Sequence, residues 1–253
     1  MVFSIVIPTV PKHHKFLPSL VKFLGNNRTH IHEILIVSSS TDEKTSNHLR
    51  AKLDLLESTI SIKTLITVTK QSAGQNRNSG WKAATGTYVM FLDADDWYSA
   101  KRAEIIHKVI QETNADLILH NYWKLKPRFF LKFKTKLEKE YWHRSPELIE
   151  STWGGVKRNI ESERGIKGDT NVIARDRSGN SLPIQHGHVT IRRNIVIRFS
   201  DEYGEDGRIV RDALEKGYQV IYIPNKLSIY NQISLDFLLR STYRHIKHLI
   251  KLG

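Results

Sequence analysis

The stretch KQSAGQNRNSGWKAATGTYVMFLDADD, residues 70–96, carries the strongest structural signal in this chain of 253 residues. Its first part predicts a helix over Gln75–Ala84, and the apolar run Tyr88–Leu92 is typical of a strand buried on both faces of a parallel sheet. Three carboxylates follow that strand directly, within Asp93–Asp96. Wound parallel sheets bind their ligands at the carboxyl ends of such strands, so we expect a site there.

Strands and helices alternate on both sides of this stretch. Short apolar runs predict the strands, and apolar residues at helical spacing predict the helices. The predicted strands are Phe3–Pro8, Ile34–Val37, Ile62–Val68, Asp116–His120, Val189–Arg192 and Gln219–Ile223, and the predicted helices contain Leu17–Leu24, Leu49–Leu56, Ile105–Ile110 and Asp206–Lys216. We therefore expect an α/β fold with a Rossmann-like, mostly parallel sheet flanked by helices.

Two parts of the chain depart from this alternation. Residues 121–186 mix basic, aromatic, glycine and serine residues without a period, which predicts an inserted lid or acceptor region within a domain of residues 1–232. Residues 233–253 predict a basic amphipathic helix, because apolar residues recur on one side of it.

The composition excludes several classes of protein. Without cysteine the chain has no disulfide and no thiolate metal site, so nothing indicates an oxidising compartment. The first apolar run ends at Pro8 and has no basic leader, which favours a strand over a signal peptide. No stretch is long enough to span a bilayer, and we expect a cytoplasmic protein.

The formal net charge of +13, from 39 Lys and Arg against 26 Asp and Glu, favours polyanionic partners. Residues 124–136 interleave cations with aromatics, which suits a membrane interface or single-stranded nucleic acid. Residues 235–252 place cations beside an apolar stripe, which suits an interfacial helix or a helix packed on the core. No helix-turn-helix, zinc or RNA motif is present, so we do not expect nucleic acid as a partner.

The negative charges of Asp93, Asp95 and Asp96 repel one another when they lie this close together. A divalent cation resolves that repulsion. Oxygen ligands suit Mn²⁺ or Mg²⁺, and either ion can bridge to a diphosphate. The alternative is a solvated acidic turn that caps the next helix, which would be the better interpretation of an isolated Asp-x-Asp.

The sequence around these acids resembles that of family 2 glycosyltransferases. Lys70–Gly74 corresponds to their Gly-rich loop, Asn76–Gly80 to their Ala-Arg-Asn-x-Gly helix, Ala84–Tyr88 to their Ala-x-Gly-x-Tyr turn and Phe91–Asp96 to their Phe-Leu-Asp-x-Asp-Asp strand end. Asn76 departs from the pattern, since Ala or Ser is common there. The likeness covers roughly the first 120 residues and residues 187–232, and it implies a GT-A fold.

This resemblance implies a donor site at the carboxyl ends of the strands. Its residues are Pro8 and Thr9 in the nucleotide pocket, Arg77 at the base, Asp93 at the ribose or the metal, Asp96 beside them, and Asp95 as the chief ligand of Mn²⁺ or Mg²⁺. An ion pair between Arg77 and the acidic cluster is an equally weighted alternative to base contact.

The turn after the second strand departs from the family pattern. Relatives usually carry there an Asp that hydrogen-bonds uracil, whereas this chain reads Val37-Ser38-Ser39-Ser40-Thr41-Asp42. Serine can still hydrogen-bond a base edge, so Ser39 is the candidate base contact, and Asp42 could cap the next helix. Uridine is the first expectation, and the identity of the base stays open.

Glu205 and Asp206 resemble the Glu-Asp pair that opens a helix in this family. Asp206 would be the general base for the acceptor hydroxyl, and Glu205 would hold an acceptor hydroxyl or orient the base. One acid could instead stabilise the start of the helix, but two in a row exceed that need. His186 and His188 precede a predicted strand, and we expect structural roles for both.

The resemblance implies an inverting, metal-dependent glycosyltransferase. It would move a sugar from a nucleotide sugar, with UDP as first expectation, to a hydroxyl of a glycan or lipid-linked acceptor in surface polysaccharide or lipopolysaccharide synthesis. Many bacterial relatives extend lipid-linked glycans, which favours peripheral attachment to the inner face of the membrane through residues 124–136 and 235–252. The alternatives are a catalytically inactive nucleotide-sugar-binding module and a basic nucleic-acid-binding protein.

Overall fold

The computed structural model describes residues 2–56, 58–125, 154–158, 172–175, 181–182, 186–201 and 205–231. In chain order the elements are β1 (Phe3–Thr9), a 3-10 helix (Pro11–Phe16), α1 (Leu17–Asn26), β2 (Ile31–Ser38), α2 (Glu43–Asp54), β3 (Ser61–Ile66), α3 (Ala73–Ala83), β4 (Tyr88–Phe91), β5 (Trp97–Tyr98), α4 (Arg102–Thr113), β6 (Leu117–Leu125), β7 (Gly154–Arg158), β8 (Val172–Arg175), β9 (Ser181–Leu182), a second 3-10 helix (His186–His188), β10 (Thr190–Arg192), α5 (Glu205–Glu215) and β11 (Val220–Asn231).

Eleven strands in the described part of the chain form one sheet, in the order β3-β2-β1-β4-β10-β6-β11-β7-β8-β9, with β5 paired to β11. β1 is parallel to both β2 and β4, β2 is parallel to β3, and β6 is parallel to β11. β10 is antiparallel to its two neighbours, β4 and β6. The predicted α/β fold is therefore confirmed, and the carboxyl ends of β1, β2 and β4 lie side by side.

Each face of the sheet has its own apolar layer, because successive residues of a strand point to opposite faces. Ile5 and Ile7 of β1 pack in the cluster that contains the apolar sides of α1, α2 and α4. Val6, between them, packs in the cluster that contains Trp81 of α3 and the apolar side of α5. Helices thus cover both faces, which leaves the strand ends for polar side chains.

Glu33 links the amino-terminal ends of the strands. Its buried carboxylate accepts hydrogen bonds from the Ser4 hydroxyl at 2.7 Å, the Lys63 ammonium at 2.8 Å, and the backbone N–H and hydroxyl of Thr85 at 2.7 and 2.6 Å. Burial raises the pKa of Glu33, but these donors outweigh it and bring the pKa down to about 2. Glu33 is therefore a charged structural link between β1, β2, β3 and the turn before β4.

The structure shows which polar residues cap the helices. Asp42 caps α2, since its carboxylate accepts a hydrogen bond from the Thr45 backbone N–H at 2.7 Å. Gly25 and Ser99 do not occupy the cap positions where glycine and serine are common, since Gly25 lies inside α1 and Ser99 lies three residues before α4 begins. Ser99 accepts instead from the Lys101 backbone N–H at 3.2 Å, within the loop that leads to the helix.

Part of the predicted insertion, residues 121–186, extends the sheet. β7 is antiparallel to β11, and β8 and β9 follow it as further antiparallel strands. Most of residues 124–136 and all of residues 233–253 lie outside the described residues, so the lid and the basic amphipathic helix stay predictions. Where helices are described, none combines the length and the apolar character that crossing a membrane requires.

Candidate active site

The ends of β1 and β2 are joined to α3 by a buried polar contact. The Asn76 side-chain amide donates to the Ser39 hydroxyl at 3.0 Å and to the Thr9 backbone carbonyl at 3.5 Å, and the Ser39 N–H donates to that same carbonyl at 3.3 Å. All three residues are buried. The structure therefore brings together two predicted nucleotide-pocket residues, Thr9 and Ser39, and adds Asn76 to them.

Arg77 forms two ion pairs within this edge of the sheet. Its guanidinium donates from Nη2 to Asp93 Oδ1 at 2.9 Å and from Nη1 to Glu205 Oε1 at 2.8 Å. The Arg77 side chain is only 5% exposed, and the guanidinium also lies 5.4 Å from the centre of the Phe199 ring. The ion pair with the acidic cluster is thus observed, and it links that cluster to the start of α5.

Asp93, Asp96 and His188 converge on one point. His188 Nε2 lies 2.8 Å from Asp96 Oδ2 and 3.8 Å from Asp93 Oδ2, and the candidate ligand atoms of all three lie within 4.8 Å of one another. His188 is fully buried and Asp96 is 3% exposed, whereas the Asp93 side chain is 26% exposed. Two carboxylates and an imidazole are donor groups that a divalent cation accepts.

The second ring nitrogen of His188 has a hydroxyl group as its hydrogen-bond partner. Its Nδ1 lies 2.9 Å from the Ser228 hydroxyl of β11, and its Nε2 lies 3.3 Å from the Tyr98 hydroxyl, which donates to the Asp93 carbonyl at 2.9 Å. Burial, opposed by the Asp93 charge, lowers the pKa of His188 to about 3. The imidazole is therefore neutral at physiological pH, which is the form that binds metals.

A buried arginine supports the same loop. Arg102 donates to the backbone carbonyls of His188 at 2.6 Å and Phe91 at 3.2 Å, and its Nε donates to His120 Nε2 at 3.0 Å. Burial lowers the pKa of Arg102 to about 10, so the guanidinium remains charged at neutral pH. Burial also lowers the pKa of His120 well below its usual value, which keeps this ring neutral.

Gly187 packs closely against the side chains of this site. A Cβ atom at this position would lie 3.1 Å from Arg77 Nη2 and 3.2 Å from Asp93 Oδ2. Any larger residue would therefore push against the ion pair between Arg77 and Asp93.

Asp95 points to a different partner from Asp93 and Asp96. Its Oδ2 lies 3.8 Å from His13 Nε2 in the first 3-10 helix, and the Asp95 side chain is 30% exposed. Burial raises the pKa of Asp95, the His13 charge opposes that rise, and the Asp93 charge adds to it. Asp95 is not among the ligand atoms that converge in the described residues.

Several predicted site residues thus come together, and one expectation needs correction. Thr9, Ser39, Arg77, Asp93, Asp96 and Glu205 share this edge, where Pro8 pairs with Val37 at the end of β1. Asp206 lies in the first turn of α5, but its side chain is outside the described part. The strand predicted at Val189–Arg192 is present as Thr190–Arg192, and the correction concerns the residues before it: His186–His188 form a 3-10 turn that directs His188 to the acids, a contact that the sequence did not predict.

Comparisons with known proteins agree with this architecture. A family model described as "Glycosyl transferase family 2" matches residues 4–174. Among curated proteins, the chain is 34% identical over 61 residues to glycosyltransferase GlyA of Streptococcus pneumoniae, which is 23% of this chain and 9% of that protein. It is 27% identical over 128 residues to the poly(ribitol-phosphate) beta-N-acetylglucosaminyltransferase TarS of Staphylococcus aureus, 47% of this chain and 20% of that protein.

Solved structures are similar in fold. TarS 1–349 in complex with UDP-GlcNAc superposes with a TM-score of 0.60 and 16% identity, over 92% of this chain and 59% of that one. The mannosyltransferase PcManGT of Pyrobaculum calidifontis, in complex with GDP-Man and Mn²⁺, superposes with a TM-score of 0.57 and 15% identity, over 92% and 57%. Identities this low establish the fold alone, and the chain spans at most a fifth of the length of these two curated relatives.

Proposed function

The chain belongs to glycosyl transferase family 2, and on that premise we propose that it moves a sugar from a nucleotide sugar to an acceptor hydroxyl with inversion. A UDP-sugar is the first choice of donor, and a glycan or lipid-linked hydroxyl in surface polysaccharide synthesis is the proposed acceptor. The name of TarS, with its poly(ribitol-phosphate) acceptor, and its complex with UDP-GlcNAc support both choices.

The observation that carries the proposal is the charge balance at the edge of the sheet where the carboxyl ends of β1, β2 and β4 lie. The contacts of this edge involve four carboxylates and two guanidiniums: Asp93, Asp95, Asp96 and Glu205, with Arg77 and Arg102. Lys12 and His13 act on Asp95 from the more exposed side. The nearby imidazoles of His188 and His120 are neutral at physiological pH, so among these six side chains the acids exceed the guanidiniums by two negative charges. One divalent cation would balance them, which is the state that a buried cluster of charges favours.

The donor groups fit a divalent cation. Asp93 and Asp96 offer oxygen and His188 offers nitrogen, and we keep Asp95 as a further ligand from the more exposed side. Such a cation, Mn²⁺ or Mg²⁺, would stabilise the charge that develops on a departing nucleoside diphosphate. Similar structures that carry GDP-Man with Mn²⁺, or UDP with Mg²⁺, support this choice of cofactor.

The protein's own residues would bind and orient the two substrates. Thr9, Ser39 and Asn76 form the polar wall where we propose that the base binds, with Pro8 in the same pocket. Arg77 would hold Asp93 and Glu205 at a fixed separation, between the donor and acceptor sides. Asp206, one residue into α5, would accept the proton of the attacking hydroxyl, and Glu205 would orient the acceptor.

The remaining parts of the proposal concern location. We propose that residues 1–232 are the catalytic domain, with the acceptor region within 121–186. The basic segments 124–136 and 235–252 would bind an anionic membrane surface on the cytoplasmic side, because cations beside apolar residues suit that interface.

Two variants separate donor binding from transfer. Thermal-shift titration with UDP- and GDP-sugars, with and without Mn²⁺, should show binding that depends on the metal. Asp95→Ala should abolish it, whereas Asp206→Asn should keep donor binding and slow nucleoside diphosphate release at least about 100-fold. Asp54→Asn, on the exposed end of α2, serves as the control and should behave as wild type.

Different outcomes contradict different parts of this proposal. Near wild-type turnover of Asp206→Asn would refute the assignment of the base. Absence of nucleotide-sugar binding with every divalent cation would refute the transferase itself. Donor binding without any transfer would instead favour the inactive binding module.

A further inference from the structure

The ligand atoms of Asp93, Asp96 and His188 have the spacing that one small cation requires. His188 Nε2 lies 2.8 Å from Asp96 Oδ2 and 3.8 Å from Asp93 Oδ2. Ligands about 2.1 Å from an octahedral ion lie roughly 3 Å apart when adjacent and roughly 4 Å apart when opposite. Small side-chain movements would therefore bring all three atoms to one ion.

His188 gives this cluster a nitrogen donor in addition to carboxylate oxygens. Mg²⁺ prefers oxygen ligands in strict octahedral geometry and keeps much of its water. Imidazole binds first-row transition ions well, and carboxylates also suit Mn²⁺. A site with both donor types therefore discriminates against Mg²⁺.

Two buried histidines in this region, His120 and His188, differ in their tautomers: one has its proton fixed on a single ring nitrogen, and the other can carry it on either. His120 accepts from Arg102, which only donates, and faces the Asn121 carbonyl at 2.8 Å, which only accepts, so its proton is fixed on Nδ1. His188 faces the Ser228 hydroxyl at Nδ1, and a hydroxyl can donate or accept. The His188 proton can therefore lie on Nε2, toward Asp96, or on Nδ1, toward Ser228.

That freedom matters because an imidazole nitrogen binds a metal only through its lone pair. With the proton on Nδ1, Ser228 accepts it and the Nε2 lone pair faces the two carboxylates. A second hydrogen bond of this kind fixes the orientation of a metal-binding imidazole and raises its affinity.

We propose that His188 is the nitrogen ligand of a mixed site with Asp93 and Asp96, that this site prefers Mn²⁺ to Mg²⁺, and that Ser228 is its positioning residue. The inference rests on the proposed function, because it takes from that function the presence of a divalent cation. It adds to the family pattern, which points to Asp95 as the chief ligand, because the geometry brings Asp96 and His188 together beside Asp93.

Electron spin-echo measurements on bound Mn²⁺ test the nitrogen ligand directly. The full-length protein with Mn²⁺ and no nucleotide should show modulation from a nitrogen nucleus, and ¹⁵N-histidine labelling should change that modulation. His188→Gln should remove it. His13→Gln should retain it, although His13 lies near Asp95 and is the competing nitrogen donor.

Metal affinities test the selectivity and the role of Ser228. In titrations that follow free Mn²⁺, both His188→Gln and Ser228→Ala should weaken Mn²⁺ binding by about tenfold or more. Mg²⁺ affinity, measured by competition, should change much less in both variants. His14→Gln is the matched control, because His14 also lies 2.7 Å from a serine hydroxyl, that of Ser38, and its Mn²⁺ affinity should equal that of wild type.

The failures are distinguishable. Bound Mn²⁺ without nitrogen modulation in the wild-type protein would overturn this inference and leave the proposed function intact, and this measurement holds even where a variant does not fold. Loss of the modulation in His13→Gln would also overturn it, since the nitrogen ligand would then be His13 and not His188. If no divalent cation binds with or without nucleotide, the metal-dependent function fails as well.

Discussion

Replacing Arg77 with methionine should destabilise the protein strongly, because the guanidinium is the shared partner of two carboxylates. Its side chain is 5% exposed and bonds Asp93 at 2.9 Å and Glu205 at 2.8 Å. Breaking a buried ion pair by removing one partner costs about 3–5 kcal/mol. Water can still reach the two acids, whose side chains are 26% and 18% exposed, so we expect the lower end, about 3 kcal/mol.

That free energy is large enough to measure by two methods. For a domain of this size, 1 kcal/mol shifts the Tm by roughly 2–4 °C, so Arg77→Met should lower it by roughly 6–12 °C. Urea unfolding at pH 7 gives the free energy itself. Lys101→Met is the control, because Lys101 pairs with Glu104 at 2.7 Å with the two side chains 46% and 52% exposed, and it should cost less than about 0.5 kcal/mol. If Arg77→Met costs no more than this control, the ion pairs do not hold the site together.

Three further predictions concern single side chains. Glu33→Gln should cost roughly 2 kcal/mol at pH 7. Because the folded pKa of Glu33, about 2, lies below its ordinary value of 4.5, its stabilisation is complete above pH 4.5 and is lost as the pH falls toward 2, so urea unfolding of the variant should depend less on pH in that range. Asn76→Ala should cost about 1–2 kcal/mol by leaving the buried Ser39 hydroxyl without its donor, and the double variant with Ser39→Ala should recover about 1 kcal/mol in a double-mutant cycle; an additive result would contradict the contact. Gly187→Ala should cost about 1–3 kcal/mol by urea unfolding, because the added methyl meets the Arg77 and Asp93 side chains, and a neutral substitution would contradict that packing.

Apolar periodicity predicted the sheet well because the strand cores are the buried parts of the chain. Ile34–Val37, for example, lies within β2, and backbone pairing with β1 extends that strand to Ile31–Ser38. β11 shows where such reasoning fails. The sequence predicts an end at Pro224, but the pairing with β6 shifts its register between Ile223 and Lys226, so the proline lies where no regular ladder bond is needed.

The acidic strand end was predictable, whereas its partners were not. Asp93 and Asp96 directly follow an apolar strand in the sequence. His188 lies more than 90 positions later in the chain and contacts them only because of the tertiary fold. Apolar periodicity also did not predict the 3-10 turn at His186–His188, which directs this side chain to the acids. The Gly between the two histidines was the available signal, because it allows the backbone to approach Arg77 and Asp93 closely.

The two departures from the family pattern compensate for each other. Taken alone, Ser39 lacks the carboxylate that relatives use for the base, and Asn76 is a polar residue where a small one is common. In the structure the Asn76 amide donates to the Ser39 hydroxyl at 3.0 Å, so each residue supplies one hydrogen-bond partner to the other in a buried place. An amide that bridges β1, β2 and α3 keeps hydrogen-bonding groups at the position where the family binds its base. Under the proposed function, the loss of one Asp would therefore change which groups face the base, and the polar wall of the pocket would remain.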